Sequence, residues 1–497
     1  MAKGKLIQFA FLILCFVFLF RVVLDPDLGW HLGVGKYIWE NKTVPQKDLF
    51  SFSLPDYPYI YHSWLAEVFL YAAYRNFGLW GVTFFYCFFA TFSIWLIVKT
   101  CRLRVDMHGI YLFFLLLIPL IQSVVFLRLQ VFSFLGLSFI YYIFRRYLQS
   151  ETKLVWLLPI IFLLWANLHG GFFLGLLFFL SLLLIEALVF LFKEVVPFKV
   201  FGNLGSALPL KKGLMLLLSF LASIIAVLLN PYRAKIYEQA FLMGTNQFAT
   251  KFNLDWSPLV RSGDLSWLSA IILFALIVGL LIFKSKVELR EKLLVLLFFS
   301  LALKLNRFSL ALLPPLLVAS VVLGNELAQK FKPPWQELRL FLQLMICIVF
   351  LVYVGTACDF FLRMKRAYAD ESIFAQEIVP PYTYPWKAVE YIRQNPVPER
   401  LLNDYNWGGY LIWKLPERKF FIDGRMDNFF VDGEPFASYQ QEIVSLGPKW
   451  EEYLNRYQIE AVLISSQWPL AQALRLLPQW KLLYEDETSV LFTRVQI

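Results

Sequence analysis

The sequence predicts an α-helical polytopic membrane protein, a bundle of about eleven transmembrane helices, followed by a small C-terminal extracytoplasmic α/β domain. Three observations carry this. Of the 497 residues, 59% are hydrophobic and 16% charged, against roughly 25% charged in an ordinary soluble domain. Long apolar runs recur through the first 357 residues and stop there. The charge divides at the same point. From Cys358 onward 15 Lys/Arg stand against 19 Asp/Glu, a net charge of −4, whereas residues 1–357 carry +14. The expected domains are therefore 1–357, within the membrane, and 358–497, outside it.

A helix crosses the hydrocarbon core with about 20 mainly apolar residues. The runs that qualify are 6–24, 78–98, 109–127, 129–147, 154–168, 170–192, 213–230, 266–283, 293–305, 307–323 and 338–357, with 293–305 the shortest. The first run is long, meets Arg21 and Asp25, and lacks a small-x-small cleavage site, so it reads as an uncleaved anchor.

Orientation follows from the Lys/Arg bias. With Lys3 and Lys5 cytoplasmic, the inner connections carry Lys99, Arg102 and Arg104; Arg145, Arg146 and Lys153; Lys193, Lys199, Lys211 and Lys212; Lys284, Lys286, Arg290 and Lys292; and Lys330, Lys332 and Arg339. Each is basic, and an odd helix count places the C-terminal domain outside. Because the positive charges sit in short clusters between apolar runs, they read as topology signals and no nucleic-acid partner is expected. The five cysteines, Cys15, Cys87, Cys101, Cys347 and Cys358, are scattered without a CxxC, so neither a disulfide framework nor a zinc site is expected.

On this map the polar residues that a bilayer tolerates poorly collect at the outer face. The stretch Asp25-Pro26-Asp27-Leu28-Gly29-Trp30-His31 leaves the first helix directly. Pro26 favours extended backbone at Asp25 and Gly29 allows a turn, so two carboxylates and an imidazole can crowd together. Such a group can bind a divalent cation, Mg or Mn, through Asp25 and Asp27, or act as a general base. It can equally be a polar loop with Asp27 capping the next helix. The same outer loop, 25–77, continues through Pro45 to Ser51 and on to Tyr61-His62-Ser63-Trp64-Leu65-Ala66-Glu67, and 63–76 can form an interfacial helix. His62 and Glu67 are its candidates for binding phosphate or sugar, or for simple interfacial hydrogen bonding. Arg128, Arg233 and Arg307 stand near outer helix ends, where a guanidinium can pair with phosphate or snorkel to lipid headgroups. His169, in Asn167-Leu168-His169-Gly170-Gly171, sits between two runs with almost no loop.

After Cys358 short strand and helix signals alternate. Strands are expected at Leu401–Asn403, 419–423, Ala461–Ser465, 482–484 and 490–492, with helices near 386–394, 408–414, 436–445, 448–456 and 468–476. Asp404, Trp407-Gly408-Gly409 and Asp423-Gly424-Arg425-Met426-Asp427 follow strands, where α/β sites lie. Without a nucleotide fingerprint, packing and turn roles suit them better.

Taken together these motifs resemble the C-type membrane glycosyltransferases (GT-C), and within them a group of bacterial membrane proteins with a D-x-D-x-x-W-H start (Asp25 to His31), P-x-x-D-x-F-S (Pro45 to Ser51), H-x-W-L-x-E (His62 to Glu67), R-x-Q (Arg128 to Gln130), N-L-H-G-G (Asn167 to Gly171), N-P-Y (Asn230 to Tyr232), N-D-Y-x-W-G-G-Y-L (Asn403 to Leu411) and D-G-R-x-D (Asp423 to Asp427). One departure is Ser63 where that group carries Glu, so no catalytic role passes to it. The resemblance implies transfer of a sugar from a polyprenyl-phosphate donor to a glycan, lipid or protein acceptor at the outer face of a bacterial plasma membrane. It implies Asp25 as general base or metal holder, with Asp27 assisting and His31 beside them. Substrate contacts then fall to His62, Glu67, Arg128, His169, Arg233 and Arg307.

Two other classes remain open on the residues. A transporter or flippase of a lipid-linked substrate would place ionisable groups near mid-membrane and show repeats or broken helices. A non-catalytic membrane scaffold of the same fold would bind partners through its outer domain.

Overall fold

The computed structural model describes residues 2–20, 25–103, 117–125, 128–150, 153–194, 207–245, 258–259, 267–282, 286–330, 355, 362, 365 and 384–495. They fall into two compact units. The first comprises Met1–Arg21, Thr83–Ala240 and Thr250–Phe360; the second comprises Val22–Val82, Phe241–Ala249 and Phe361–Ile497. The stretch after the first helix, which sequence order places with the membrane domain, is thus compact with the C-terminal domain.

The first unit is helical. Among the described residues, four helices are long and apolar enough to cross a membrane, within Trp64–Arg102, Phe172–Leu191, Leu210–Val227 and Asn306–Glu326. Gln8–Leu19 and Lys153–Leu168 are shorter apolar helices. Helices also form at Ile118–Val124, Val131–Gln149, Trp267–Ile282 and Leu289–Ala302. Most of the run 109–127 and the run 338–357 lie outside the described residues.

The helix Trp64–Arg102 is broken at Gly78, whose φ of 58° and ψ of −151° suit a residue without Cβ. The break separates the expected interfacial segment, 63–76, from the expected span, 78–98.

Two of the arginines expected in cytoplasmic connections, Arg145 and Arg290, lie in the helices Val131–Gln149 and Leu289–Ala302 and are buried. Arg145 reaches Glu288 at 3.0 Å and Glu291 at 3.3 Å, and Arg290 reaches Glu186 at 2.7 Å and Glu288 at 3.1 Å. Both arginines are 2% exposed. Their carboxylate partners explain how the charge is tolerated, because a buried guanidinium is costly unless paired.

In the second unit, four strands form one sheet in the order β1 (Leu401–Asn403), β4 (Ala461–Ser465), β6 (Ser489–Arg494), β5 (Trp480–Glu485). β1 runs parallel to β4, with Leu402 opposite Val462, and β6 runs antiparallel to both β4 and β5. A two-stranded ribbon joins β2 (Phe430–Val431) to β3 (Glu434–Pro435). The helices Trp386–Gln394, Gly408–Lys414, Phe436–Val444, Trp450–Arg456 and Pro469–Leu476 lie where the hydrophobic periodicity expects them.

The expected strand 419–423 does not join the sheet. It is extended, but it bonds to the outer loop instead: the Phe420 N–H donates to Phe50 O at 2.9 Å and the Phe52 N–H to Phe420 O at 3.1 Å. Its three consecutive apolar residues, Phe420-Phe421-Ile422, fit a buried extended segment in either setting, which is why pattern alone misassigns it.

Candidate active site

In the second unit the outer loop is built around a turn, a helix and a hairpin-like arm. Asp25 accepts the Asp27 N–H on Oδ1 at 3.1 Å, and the Leu28 N–H bonds to Asp25 O at 3.1 Å. The turn starts the helix Leu28–Asn41, so Gly29 lies inside a helix and not in the turn expected there. Its missing Cβ has another use. Side-chain atoms there would run into the Gly409 carbonyl, and a Cβ on Gly409 would run into the Pro26 carbonyl. The helices Leu28–Asn41 and Gly408–Lys414 therefore meet backbone to backbone.

Asp27 occupies the N-cap position but makes no side-chain cap. Its Oδ1 accepts the Trp30 indole N–H at 2.9 Å and lies against Gly424, where a Cβ would overlap it. Asp25 is 5% exposed. His31 Nδ1 and Glu67 Oε1 are 2.8 Å apart and both residues are buried, Glu67 completely. Glu67 thus orients an imidazole and does not meet solvent, although sequence reading groups it with the substrate contacts. His62 is half-buried in the turn before Trp64.

The D-G-R-x-D segment forms the centre of this unit. Arg425 forks onto Asp423, with Nε to Oδ1 at 2.7 Å and Nη2 to Oδ2 at 2.6 Å, while Nη2 also meets Asp48 Oδ1 at 2.6 Å and Nη1 donates to Tyr61 Oη at 2.9 Å. Phe50, Tyr59, Tyr61, Trp30 and Phe429 surround the guanidinium carbon at 5.0 to 5.8 Å from their ring centres. Burial opposes charge here, but Asp423 and Asp48 outweigh it and hold Arg425 protonated. Burial likewise pushes the Asp48 carboxyl up, and Arg425 with the hydrogen bonds from Ser51 and Phe50 brings it below its ordinary range.

Asn403 sews the same region together. Its Nδ2 donates to Asp404 O and Ile422 O at 2.9 and 2.8 Å, and its Oδ1 accepts the N–H groups of Phe421 and Ile422 at 3.0 and 3.2 Å. Tyr405 Oη donates to Gly424 O at 3.3 Å. Burial, then Asp427, Asp27 and Asp423, raise this phenol far above its usual range, so it stays protonated beside those carboxylates.

The remaining candidates belong to the first unit. Arg128 and Arg307 are half-buried. Arg233 is exposed, in a left-handed conformation with φ of 51°, in a turn shaped by Asn230, whose Oδ1 accepts the Tyr232 N–H at 2.7 Å. His169 follows the helix Leu158–Leu168, with Nδ1 2.6 Å from Ser133 Oγ. Ser133 escapes sequence reading because a serine within an apolar helix carries no pattern of its own.

Among the described residues no group of three His, Cys, Asp or Glu side chains is placed to hold a metal ion. The hard carboxylate oxygens of Asp25 and Asp27 would suit Mg or Mn only as part of a larger set of oxygen ligands.

The whole chain is similar in fold to solved structures. ArnT from Cupriavidus metallidurans bound to undecaprenyl phosphate is similar with a TM-score of 0.55 and 14% identity, over 100% of this chain and 99% of that one. The Archaeoglobus fulgidus oligosaccharyltransferase, tethered to an acceptor peptide, gives 0.53 and 12% over 98% of this chain and 74% of its own. AglB from the same organism, in complex with an inhibitory peptide and a dolichol-phosphate, gives 0.53 and 12% over 99% and 75%. The chain has the GT-C fold. A polytopic helical membrane bundle with a C-terminal α/β domain is what that fold comprises here. A further structure of the Archaeoglobus enzyme holds Zn and sulfate. No protein-family model matches the sequence, and no curated protein is similar to it in sequence.

Proposed function

We propose that this protein is a membrane glycosyltransferase that moves a sugar from a polyprenyl-phosphate donor to an acceptor at the outer face of the bacterial plasma membrane. In this reading the N-terminus is cytoplasmic, and the C-terminal domain is extracytoplasmic and shapes the acceptor site. The observation that carries it is the likeness of the complete chain to an enzyme bound to undecaprenyl phosphate, joined to the turn that holds Asp25 and Asp27 together.

In the reaction an acceptor hydroxyl oxygen attacks the anomeric carbon of the donor sugar. The bond from that carbon to the phosphate oxygen breaks, and the polyprenyl phosphate departs with the electron pair. The acceptor proton passes to the Asp25 carboxylate. Asp27, fixed by Trp30 Nε1 and Gly424, keeps the turn in shape, and Glu67 orients His31. His62, Arg128, His169, Arg233 and Arg307 are the proposed contacts to donor phosphate and sugars, since guanidinium groups match phosphate geometry. A divalent cation, if bound, would be held by Asp25 and Asp27 and would neutralise charge on the leaving phosphate.

The test is turnover by purified protein in lipid with a panel of polyprenyl-phosphate sugars, comparing wild type with Asp25→Asn, with and without Mg or Mn. Transfer that falls by about 100-fold or more in Asp25→Asn supports a general base there. Transfer that is equal in both proteins removes Asp25 from the chemistry. A wild type that moves labelled lipid across the bilayer without cleaving it would turn the assignment to a flippase, and one that binds no donor at all would turn it to a scaffold.

A further inference from the structure

At one end of the helical unit, Trp165, Ser133, His169 and Gly171 form a chain of hydrogen bonds in which the two outer members can only donate. The Trp165 indole N–H donates to Ser133 Oγ at 3.1 Å. The Gly171 backbone N–H donates to His169 Nδ1 at 3.1 Å. Between them, Ser133 Oγ and His169 Nδ1 lie 2.6 Å apart. An indole N–H and a backbone N–H have no acceptor capacity. A serine hydroxyl has two lone pairs, so the Trp165 contact leaves its role toward His169 open. The Gly171 N–H, which can bond only to an unprotonated Nδ1, sets it, and Ser133 then donates to an Nδ1 that carries no proton. The one proton of the neutral ring sits on Nε2.

The packing leaves this arrangement little freedom. Ser133 is 1% exposed and Trp165 2%. The Trp165 ring lies in a slot between Gly136 of the helix Val131–Gln149 and Gly175 of the helix Phe172–Glu194, and a Cβ on either glycine would overlap the indole. Gly171 is as confined, because a Cβ there would overlap Ser133 Oγ. Three helices thus fix Ser133 and Trp165 beside the ring, and the Gly171 N–H selects the tautomer.

We propose that His169 is a fixed, uncharged hydrogen-bond donor, whose Nε2–H serves an anionic oxygen of the polyprenyl phosphate, and that it does not act as a base. The tautomer rests on the hydrogen-bond chain alone; the ligand rests on the glycosyltransferase reading above. Whatever Nε2 faces, it faces as a donor. Ser133, Trp165 and Gly171 are then positioning residues, acting on the ligand only through the ring.

The first test needs no ligand. In protein carrying ring-¹⁵N histidine in lipid nanodiscs, with the His169 signal assigned by its loss in His169→Gln, the expected spectrum has a proton-free Nδ1 and a proton-bearing Nε2. A proton on Nδ1, alone or together with Nε2, would overturn the inference. The second test measures binding of undecaprenyl phosphate. His169→Ala is expected to bind about tenfold or more weakly, and His169→Gln, which keeps a donor, within about threefold of wild type. Equal affinity in His169→Ala, with an unchanged unfolding midpoint, would overturn the ligand role. So would displacement by phosphatidylglycerol vesicles or inorganic phosphate at matched concentration, which would assign the donor to phosphate in general. If the wild type transfers sugar while His169→Ala keeps its affinity, this inference fails and the glycosyltransferase reading stands. If the wild type neither binds nor transfers, both ligand assignments fall and the spectrum still decides the tautomer.

Discussion

Arg425 Nη2 and Asp48 Oδ1 stand 2.6 Å apart, and neither side chain has exposed surface. One comes from the loop that follows the first helix and the other from the C-terminal domain. With Asp423 and Tyr61 completing the guanidinium's partners, this ion pair makes the loop's fold depend on the domain. The turn bearing Asp25 and Asp27 belongs to that same loop, so the C-terminal domain is part of the candidate site's construction.

Replacing Arg425 by Met leaves Asp48 and Asp423 buried without their common partner. Loss of one member of a buried pair typically costs about 3–5 kcal/mol, so Arg425→Met is expected to unfold the second unit well below the wild-type midpoint and to open the loop to protease near Phe50. Asp48→Asn, which keeps an acceptor and the shape, should lose less. Thermal unfolding with limited proteolysis reads both, and an Arg425→Met protein with wild-type midpoint and cleavage pattern would remove the clamp from the account.

The same pair predicts an acid response. Burial pushes the Asp48 carboxyl up, but Arg425 and the Ser51 and Phe50 hydrogen bonds leave it lower than in the unfolded chain. A carboxyl of this kind contributes stability above its unfolded pKa, about 3.9, and that contribution is lost as pH falls through the lower folded value. Asp404 has the opposite sign. Burial raises it, against the hydrogen bonds of Trp468 and Asn406, so its contribution favours folding when protonated and falls as pH rises through the raised value. Unfolding midpoints of wild type and Asp48→Asn from about pH 5 to about pH 1 should therefore converge on acidification. A constant gap between the two proteins across that range would contradict the assignment.

Much of this architecture was legible in sequence because it rests on periodicity. The helix Gly408–Lys414 and the strands β1 and β4 sit where apolar spacing puts them, and the break at Gly78 separates a segment carrying Glu67 and Arg75 from a run, 78–98, without a charged residue. What pattern could not supply is pairing across the chain. Asp48 and Arg425 each lie in a recognisable motif, yet nothing in either motif names the other. The same holds for Gly29 and Gly409, where the informative feature is a missing atom. The ion pairs of Arg145 and Arg290 were illegible for a related reason: their carboxylate partners are distant in sequence, and nothing near either arginine names them.

Gly424 gives a way to disturb Asp27 without touching a charge. A methyl group there overlaps Asp27 Oδ1, and the carboxylate must leave the Trp30 indole to make room. Gly424→Ala is expected to lower transfer by about tenfold, the effect of a misplaced group near the chemistry, while the unfolding midpoint moves little. The comparison is Gly433→Ala, at a site with nothing nearby and φ of 85°, which should cost stability alone. Equal transfer in Gly424→Ala and wild type would separate Asp27 from the reaction.

Asn403 offers the sharpest stability test in the C-terminal domain, because all four of its hydrogen bonds are to backbone and the residue is fully buried. In Asn403→Ala the N–H groups of Phe421 and Ile422 lose their acceptor where water does not reach, and each buried unsatisfied group costs about 1–3 kcal/mol. Asn403→Asp keeps the acceptor for those N–H groups but places a second oxygen against the carbonyls of Asp404 and Ile422, and buries a charge without a cation bonded to it. The expected order of midpoints is wild type, then Asn403→Ala, then Asn403→Asp at neutral pH, with the last two closing as pH falls and the new carboxyl takes up a proton that it can donate. Since the segment held by Asn403 runs directly into Asp423-Gly424-Arg425, loosening it should also raise hydrogen exchange at the Phe420 N–H, which bonds to Phe50 of the outer loop. Exchange there at the wild-type rate in Asn403→Ala would mean that the loop is held by Arg425 alone.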